Sequence, residues 1–294
     1  MKLKLTALAL LLTVGATAAT ADDTLKKVSD SGRISVAYRE SSIPFSYIAA
    51  AGKPVGFSVE LTNAIVDEVK RRTGKPGLEV QYVSVTSQNR IPLLSNGTID
   101  LECGSTTNNS TRGKDVAFAI NHFYTGTRLL VKKTSRITNY ANLAGKTVSS
   151  TTGTTNSQVM RKYNADNSLN MDLILAKDHS DAMLLVEADR TVAFAMDDIL
   201  LYGLMATAKA PEIWEVVGDS LQVEPYACML RKDDPRYKEL VDGVIGAMMK
   251  SGEFDRLYTK WFMAPIPPNN INLRLPMATQ LRDNLKNLSD KPAL

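Results

Sequence analysis

Polar runs stand where strand-type segments give way to helical ones. They are Arg39-Glu40-Ser41-Ser42, Ser87-Gln88-Asn89-Arg90, Gly104-Ser105-Thr106-Thr107-Asn108-Asn109 leading to Arg112, Thr152-Gly153-Thr154-Thr155, Asp178-His179-Ser180 and Asp197-Asp198. In open α/β sheets ligands bind beyond the carboxyl ends of strands, where helix N-termini offer free N–H donors to anions. Each run also has a plainer reading. Ser87 or Thr154 alone suits a helix cap, a single Arg39 suits a solvated surface, Asp197 or Asp198 suits a cap, and His179 suits a cap region or the surface. Recurrence at one topological place in both halves of the chain points instead to a shared binding site.

Catalytic apparatus does not stand out. The chain has no Walker loop, no dinucleotide fingerprint, no GxSxG elbow and no HExxH. Its two histidines are His122 and His179 and its two cysteines are Cys103 and Cys228. That inventory offers no structural zinc site, and it leaves acid–base work to carboxylates, lysines or hydroxyls.

The elements that must position these runs alternate. Strands are predicted over 34–38, 78–83 and 99–102, with helices over 58–72 and 89–94. The pattern restarts with strands over 127–132, 146–149, 172–176, 191–196 and 214–217, and with helices ending at Tyr163 or covering 180–188 and 198–206. A further strand over 226–230 precedes amphipathic helices over 235–250 and 253–262. Alternation of this kind implies an α/β fold with largely parallel sheets.

The first 21 residues read as a secretory leader. Lys2 and Lys4 precede an apolar stretch over 5–14, and Ala19-Thr20-Ala21 is a small-x-small cleavage site. The stretch is too short to span a bilayer, which takes about 20 apolar residues, and no later segment is long and apolar enough. Without Lys2 and Lys4 the chain carries 33 basic against 31 acidic residues, a charge of +2. Near neutrality argues against a nucleic-acid partner. Export and an even cysteine count favour a Cys103–Cys228 bridge over two buried thiols. Such a bridge would tie the last strand and helices to the first α/β block. The middle block would then be an insertion, entered near 122–127 and left near 223–226. Two lobes joined by paired segments can close as a hinge over a ligand cleft.

At these residues the chain resembles the periplasmic solute-binding proteins of polar amino-acid ABC transporters, in the acidic-amino-acid subgroup. The carrying segments are Arg39-Glu40-Ser41-Ser42-Ile43-Pro44-Phe45-Ser46-Tyr47, Thr86-Ser87-Gln88-Asn89-Arg90-Ile91-Pro92-Leu93-Leu94 and Glu102-Cys103-Gly104-Ser105-Thr106-Thr107-Asn108-Asn109. Ala176-Lys177-Asp178-His179, Met196-Asp197-Asp198, Cys228-Met229-Leu230-Arg231-Lys232-Asp233-Asp234-Pro235 and Lys260-Trp261-Phe262 add to them. The resemblance covers essentially everything after the leader. Departures are slight: Gly56-Phe57 is followed by Ser58 where an acidic residue is frequent, and Thr152 stands where serine is common.

The resemblance implies a two-lobed, type II periplasmic-binding-protein fold, with lobe one over 22–124 and 226–294 and lobe two over 125–225. It implies an L-glutamate or L-aspartate ligand, an inner-membrane ABC permease as partner, a monomer, a periplasmic location and no cofactor or metal. Arg112 would hold the ligand α-carboxylate, helped by Thr107 and Thr155. Asp197 would accept from the α-ammonium group. Arg39, Ser87, Arg90, Ser105 and His179 would hold the side-chain carboxylate. The Cys103–Cys228 bridge is implied too. Three arginines against one aspartate suit a dianion bearing one cation, whereas an amide ligand would leave Arg39 and Arg90 buried and unpaired. A dehydratase-like periplasmic enzyme on the same scaffold is the alternative, and no extra domain or unpaired catalytic acid favours it.

Overall fold

The computed structural model describes residues 23–49 and 52–293, so the expected leader over 1–21 lies outside the described residues. Local rules explain the elements. In helix Phe57–Thr73 the residues Phe57, Leu61, Ile65 and Val69 recur every fourth position and are all fully buried. Gly74 ends this helix at φ 66°, where its N–H reaches back to the carbonyls of the last turn. Pro235 opens the long helix Pro235–Ser251, and Asp234 caps it by accepting from Tyr237 N at 3.1 Å.

These elements build two α/β lobes, each around a five-stranded sheet. The first sheet runs Glu79–Ser84, Arg33–Tyr38, Leu101–Glu102, Met229–Arg231, Val116–Phe118. The second runs Asp172–Ala176, Thr147–Thr151, Ala193–Asp197, Thr127–Lys132, Trp214–Val217. The first three strands of each sheet are parallel. Met229–Arg231 in the first, and Thr127–Lys132 in the second, pair antiparallel with their neighbours. The sheets are therefore mixed rather than largely parallel. Both antiparallel entries follow a chain crossing between lobes, where no βαβ helix imposes a parallel return.

The crossings themselves pair. Phe123–Thr125 and Glu224–Tyr226 form a two-stranded antiparallel ribbon that joins the lobes. The single strand expected over 226–230 is thus two strands, one in this hinge and one in the first sheet. Between them Cys228 bonds Cys103, with Cα atoms 4.2 Å apart. The register explains the meeting: Met229 is opposite Glu102, so the next pair along the antiparallel ladder is Cys228 and Cys103.

The hinge rests on an aromatic cluster. Phe45 lies 4.9 Å from Phe123, 5.2 Å from Tyr226 and 5.5 Å from Phe262, ring centroid to centroid, in edge-to-face contacts. A separate core in the second lobe gathers Leu129, Val131, Val148, Met160, Ala193 and Ala195. Among the described residues no helix is long and apolar enough to cross a membrane.

Candidate functional site between the lobes

All nine residues singled out by sequence, Arg39, Ser87, Arg90, Ser105, Thr107, Arg112, Thr155, His179 and Asp197, are buried where the two lobes face each other. The lobes touch closely there. Gly153 has φ 78°, and a Cβ on it would lie 2.6 Å from Gln88 Cα of the other lobe. Only glycine meets both demands.

Helix starts decide which hydroxyls are free. Thr86 and Asn89 hydrogen-bond each other across the turn before helix Arg90–Ser95, with Thr86 N donating to Asn89 Oδ1 at 2.8 Å. Ser87 is therefore not a cap, and its Oγ accepts from Arg39 Nη1 at 3.1 Å. Thr154 is the cap of helix Thr155–Asp166, accepting from Ser157 N. That leaves the Thr155 hydroxyl for the cleft. Asp178 caps helix His179–Glu187 in a capping box with Asp181.

Arg39 is the most occupied cation. Its Nη2 lies 2.5 Å from Asp178 Oδ1 and 3.3 Å from His179 Nε2. A guanidinium cannot accept, so His179 Nε2 is the acceptor and its Nδ1–H faces Thr151 Oγ1 at 2.9 Å. Burial first, and then Arg39, push this imidazole down to about 3, so it is neutral at neutral pH. Burial alone would raise the Asp178 carboxyl, but Arg39 and its other partners outweigh that and hold it below its ordinary value.

Arg90 is less satisfied. Nη1 donates to the Ser105 carbonyl at 3.3 Å, and Glu102 Oε1 lies 3.9 Å away. The Nε atoms of Arg39 and Arg90 are buried without a hydrogen-bond partner. Burial pushes Arg90 down to about 9, with Glu102 opposing. Ser105 Oγ turns to Ser42 Oγ at 3.1 Å. Arg112 spans the lobes by donating to the carbonyls of Thr107 at 2.9 Å and Gly153 at 3.1 Å. Burial lowers it as well.

Asp197 closes the other side. Its Oδ1 accepts from Asn156 Nδ2 at 2.7 Å and its Oδ2 from Tyr226 Oη at 2.5 Å. Burial, then Glu224, raise its carboxyl well above the usual carboxylate range. The neighbouring Asp198 faces the hinge instead, accepting from Thr125 Oγ1 at 2.6 Å and from Ile199 N.

Sequence reasoning did not single out Glu224, Tyr226, Asn156 or the Asp178 side chain as parts of this constellation. Asp178 stood in view beside His179. Glu224 and Tyr226 carry no local signal, because they come from a hinge strand rather than a strand-to-helix junction. Three buried guanidinium groups, two of them with an unpartnered Nε, gather between the lobes beside the Asp197 carboxyl. Such an arrangement suits a small zwitterion with additional negative charge.

Residues 34–264 match the family of bacterial extracellular solute-binding proteins, family 3. The chain belongs to this family. It is 48% identical over 271 residues to the glutamate/aspartate import solute-binding protein of Escherichia coli, covering 92% of this chain and 90% of that one. It is 47% identical over 271 residues, with the same coverage, to the L-glutamate/L-aspartate-binding protein of Pseudomonas aeruginosa. Among solved structures, a mutant of ArgBP from T. maritima superposes with a TM-score of 0.72 at 28% identity, over 81% of this chain and 98% of that one.

Proposed function

We propose that this family member captures L-glutamate or L-aspartate between its lobes and hands it to the permease of an inner-membrane ABC transporter. The observation that carries the reading is the pair of buried, unpartnered Nε donors on Arg39 and Arg90, close to a third buried guanidinium on Arg112. A buried cation with unspent donors calls for an anionic acceptor. The near half-identity to two acidic-amino-acid-binding proteins supports the same choice of ligand.

Arg112, together with the threonine loops, takes the α-carboxylate. Asp197 takes the α-ammonium group. Arg39, Arg90, Ser87 and Ser105 take the side-chain carboxylate, with His179 holding Arg39 in place. Lobe one comprises 22–124 and 226–294, and lobe two 125–225. Residues 1–21 direct export and are removed, so that the protein works in the periplasm as a monomer. An enzyme on this scaffold is disfavoured because the relatives are named for binding and import.

The test is calorimetry on protein freed of bound ligand by unfolding and refolding with the disulfide intact. L-glutamate and L-aspartate bind one to one at micromolar affinity or tighter, about 8 kcal/mol or more, and the two amides bind far more weakly. Equal affinity for L-glutamine, or no binding of either acid, would overturn the assignment.

A further inference from the structure

Glu224 is fully buried in the hinge strand Glu224–Tyr226. Its Oε2 accepts hydrogen bonds of 2.5 Å from Thr107 Oγ1 on one lobe and from Thr155 Oγ1 on the other. Its Oε1 accepts from Gln222 Nε2 at 2.5 Å. A hydroxyl carries a single proton. Thr107 and Thr155 commit theirs to Glu224, so their oxygens, 3.4 Å apart, turn lone pairs rather than protons to their surroundings.

Hydroxyls held in this way are poor donors to a carboxylate and good acceptors for an ammonium group, which has three N–H donors and no lone pair. Asp197 approaches from the second lobe with its own carboxyl. Glu224 bears on both neighbours of the amino-acid head group. After burial it is the largest influence raising the Asp197 carboxyl, and it is the largest influence opposing the burial that lowers Arg112.

We propose that Glu224, acting through the hydroxyls of Thr107 and Thr155, completes with Asp197 the subsite that selects the ligand's α-ammonium group. The proposal rests on the reading that the cleft takes an acidic amino acid. It reassigns the two hydroxyls from the carboxylate to the ammonium group, and leaves the α-carboxylate to Arg112 and backbone N–H groups. Glu224 need not touch the ligand. It is a positioning residue whose effect depends on the ligand carrying a cation. A diacid without the amino group would leave the acceptors of this subsite unpaired.

The experiment compares L-glutamate with glutarate, the same diacid lacking the amino group, by calorimetry on wild type and Glu224→Gln. The substitution keeps size and removes the charge; its one carbonyl oxygen can still accept from the two threonines, while its new N–H group faces Gln222, whose amide must turn to accept it. L-glutamate loses about tenfold in affinity or more, as expected for a charged partner, while glutarate is unchanged or improves. Thr155→Val shows the same selective loss and Thr155→Ser restores it, which keeps the test open should Glu224→Gln fold poorly. Equal losses for both ligands, or no loss for either, would overturn the proposal while leaving the acidic-amino-acid reading intact. Wild-type protein that binds no L-glutamate would instead overturn that reading and this inference with it.

Discussion

Arg39 Nη2 of the first lobe lies 2.5 Å from Asp178 Oδ1 of the second, and the two residues are 139 apart in sequence. Arg39 is fully buried and the Asp178 side chain is 15% exposed, so the contact is a lobe-to-lobe ion pair only partly screened by solvent. Asp178 also places a negative charge beside the arginine that we assign to the ligand side-chain carboxylate. Asp178→Asn retains a good helix cap while removing that charge. The ratio of L-glutamate to L-glutamine affinity should rise severalfold in this variant. Small-angle scattering without ligand should show a more open molecule. An unchanged ratio would mean that Asp178 does not face the ligand carboxylate.

Arg90 and Arg112 should fail differently. Arg112→Ala removes the guanidinium that joins Thr107 to Gly153 across the cleft, and should abolish binding of acids and amides alike. Arg90→Ala should lower affinity for the acids selectively. It also strands Glu102, which is buried 3.9 Å away, so the melting temperature should fall. Adding Glu102→Gln should recover much of the melting temperature without recovering the preference for acids. Calorimetry and thermal unfolding on the three variants separate the two effects.

The Cys103–Cys228 bridge closes a sequence separation of 125 residues. Chain entropy assigns a loop of that size about 4–5 kcal/mol, an upper bound on what its removal costs. Cys103→Ser with Cys228→Ser should lower stability to denaturant by up to that amount. Both residues sit in the first lobe, and neither is assigned a contact with the ligand, so the variant should still bind L-glutamate below its new melting temperature.

His122 is fully buried beside Phe57, with ring centroids 5.9 Å apart. Burial pushes it down to about 4, the nearby Gly104 backbone pulling only weakly the other way, and neither ring nitrogen has a hydrogen-bond partner. Its folded-state value is thus below the unfolded one of about 6.5. The stability it confers is complete above about pH 6.5 and is lost as pH falls towards 4. Asp197 acts in the opposite sense, since its raised carboxyl costs stability as pH rises. Comparison with His122→Phe cancels that background. Denaturant titrations should show the variant gaining about 2 kcal/mol on wild type between pH 7 and pH 5. A pH-independent difference would show that His122 titrates normally.

Much of the cleft was legible because strand-to-helix junctions are local. The segments around Arg39, Ser87 and Arg90, Thr107 and Arg112, Thr155, His179 and Asp197 all fall at such junctions, and every one of these residues is buried between the lobes. Their individual partners were not legible. Ser87 reads as a cap, yet Thr86 and Asn89 stabilise that turn and release it to Arg39. Glu224 reads as an ordinary hinge residue until Thr107 and Thr155 arrive from opposite lobes.

The sequence by itself determined the α/β alternation, the helix at Phe57–Thr73 with its Gly74 stop, and the polar character of the junctions. Those features depend on residue periodicity and on backbone preferences that act within a few positions. Tertiary structure decided that 226–230 divides between hinge and sheet, that the sheets are mixed, and that Arg39 meets Asp178. It also decided where the protons of Thr107 and Thr155 go. Each of these depends on groups far apart in the chain, and their meeting is set by how two lobes pack across a hinge, which no local spacing encodes.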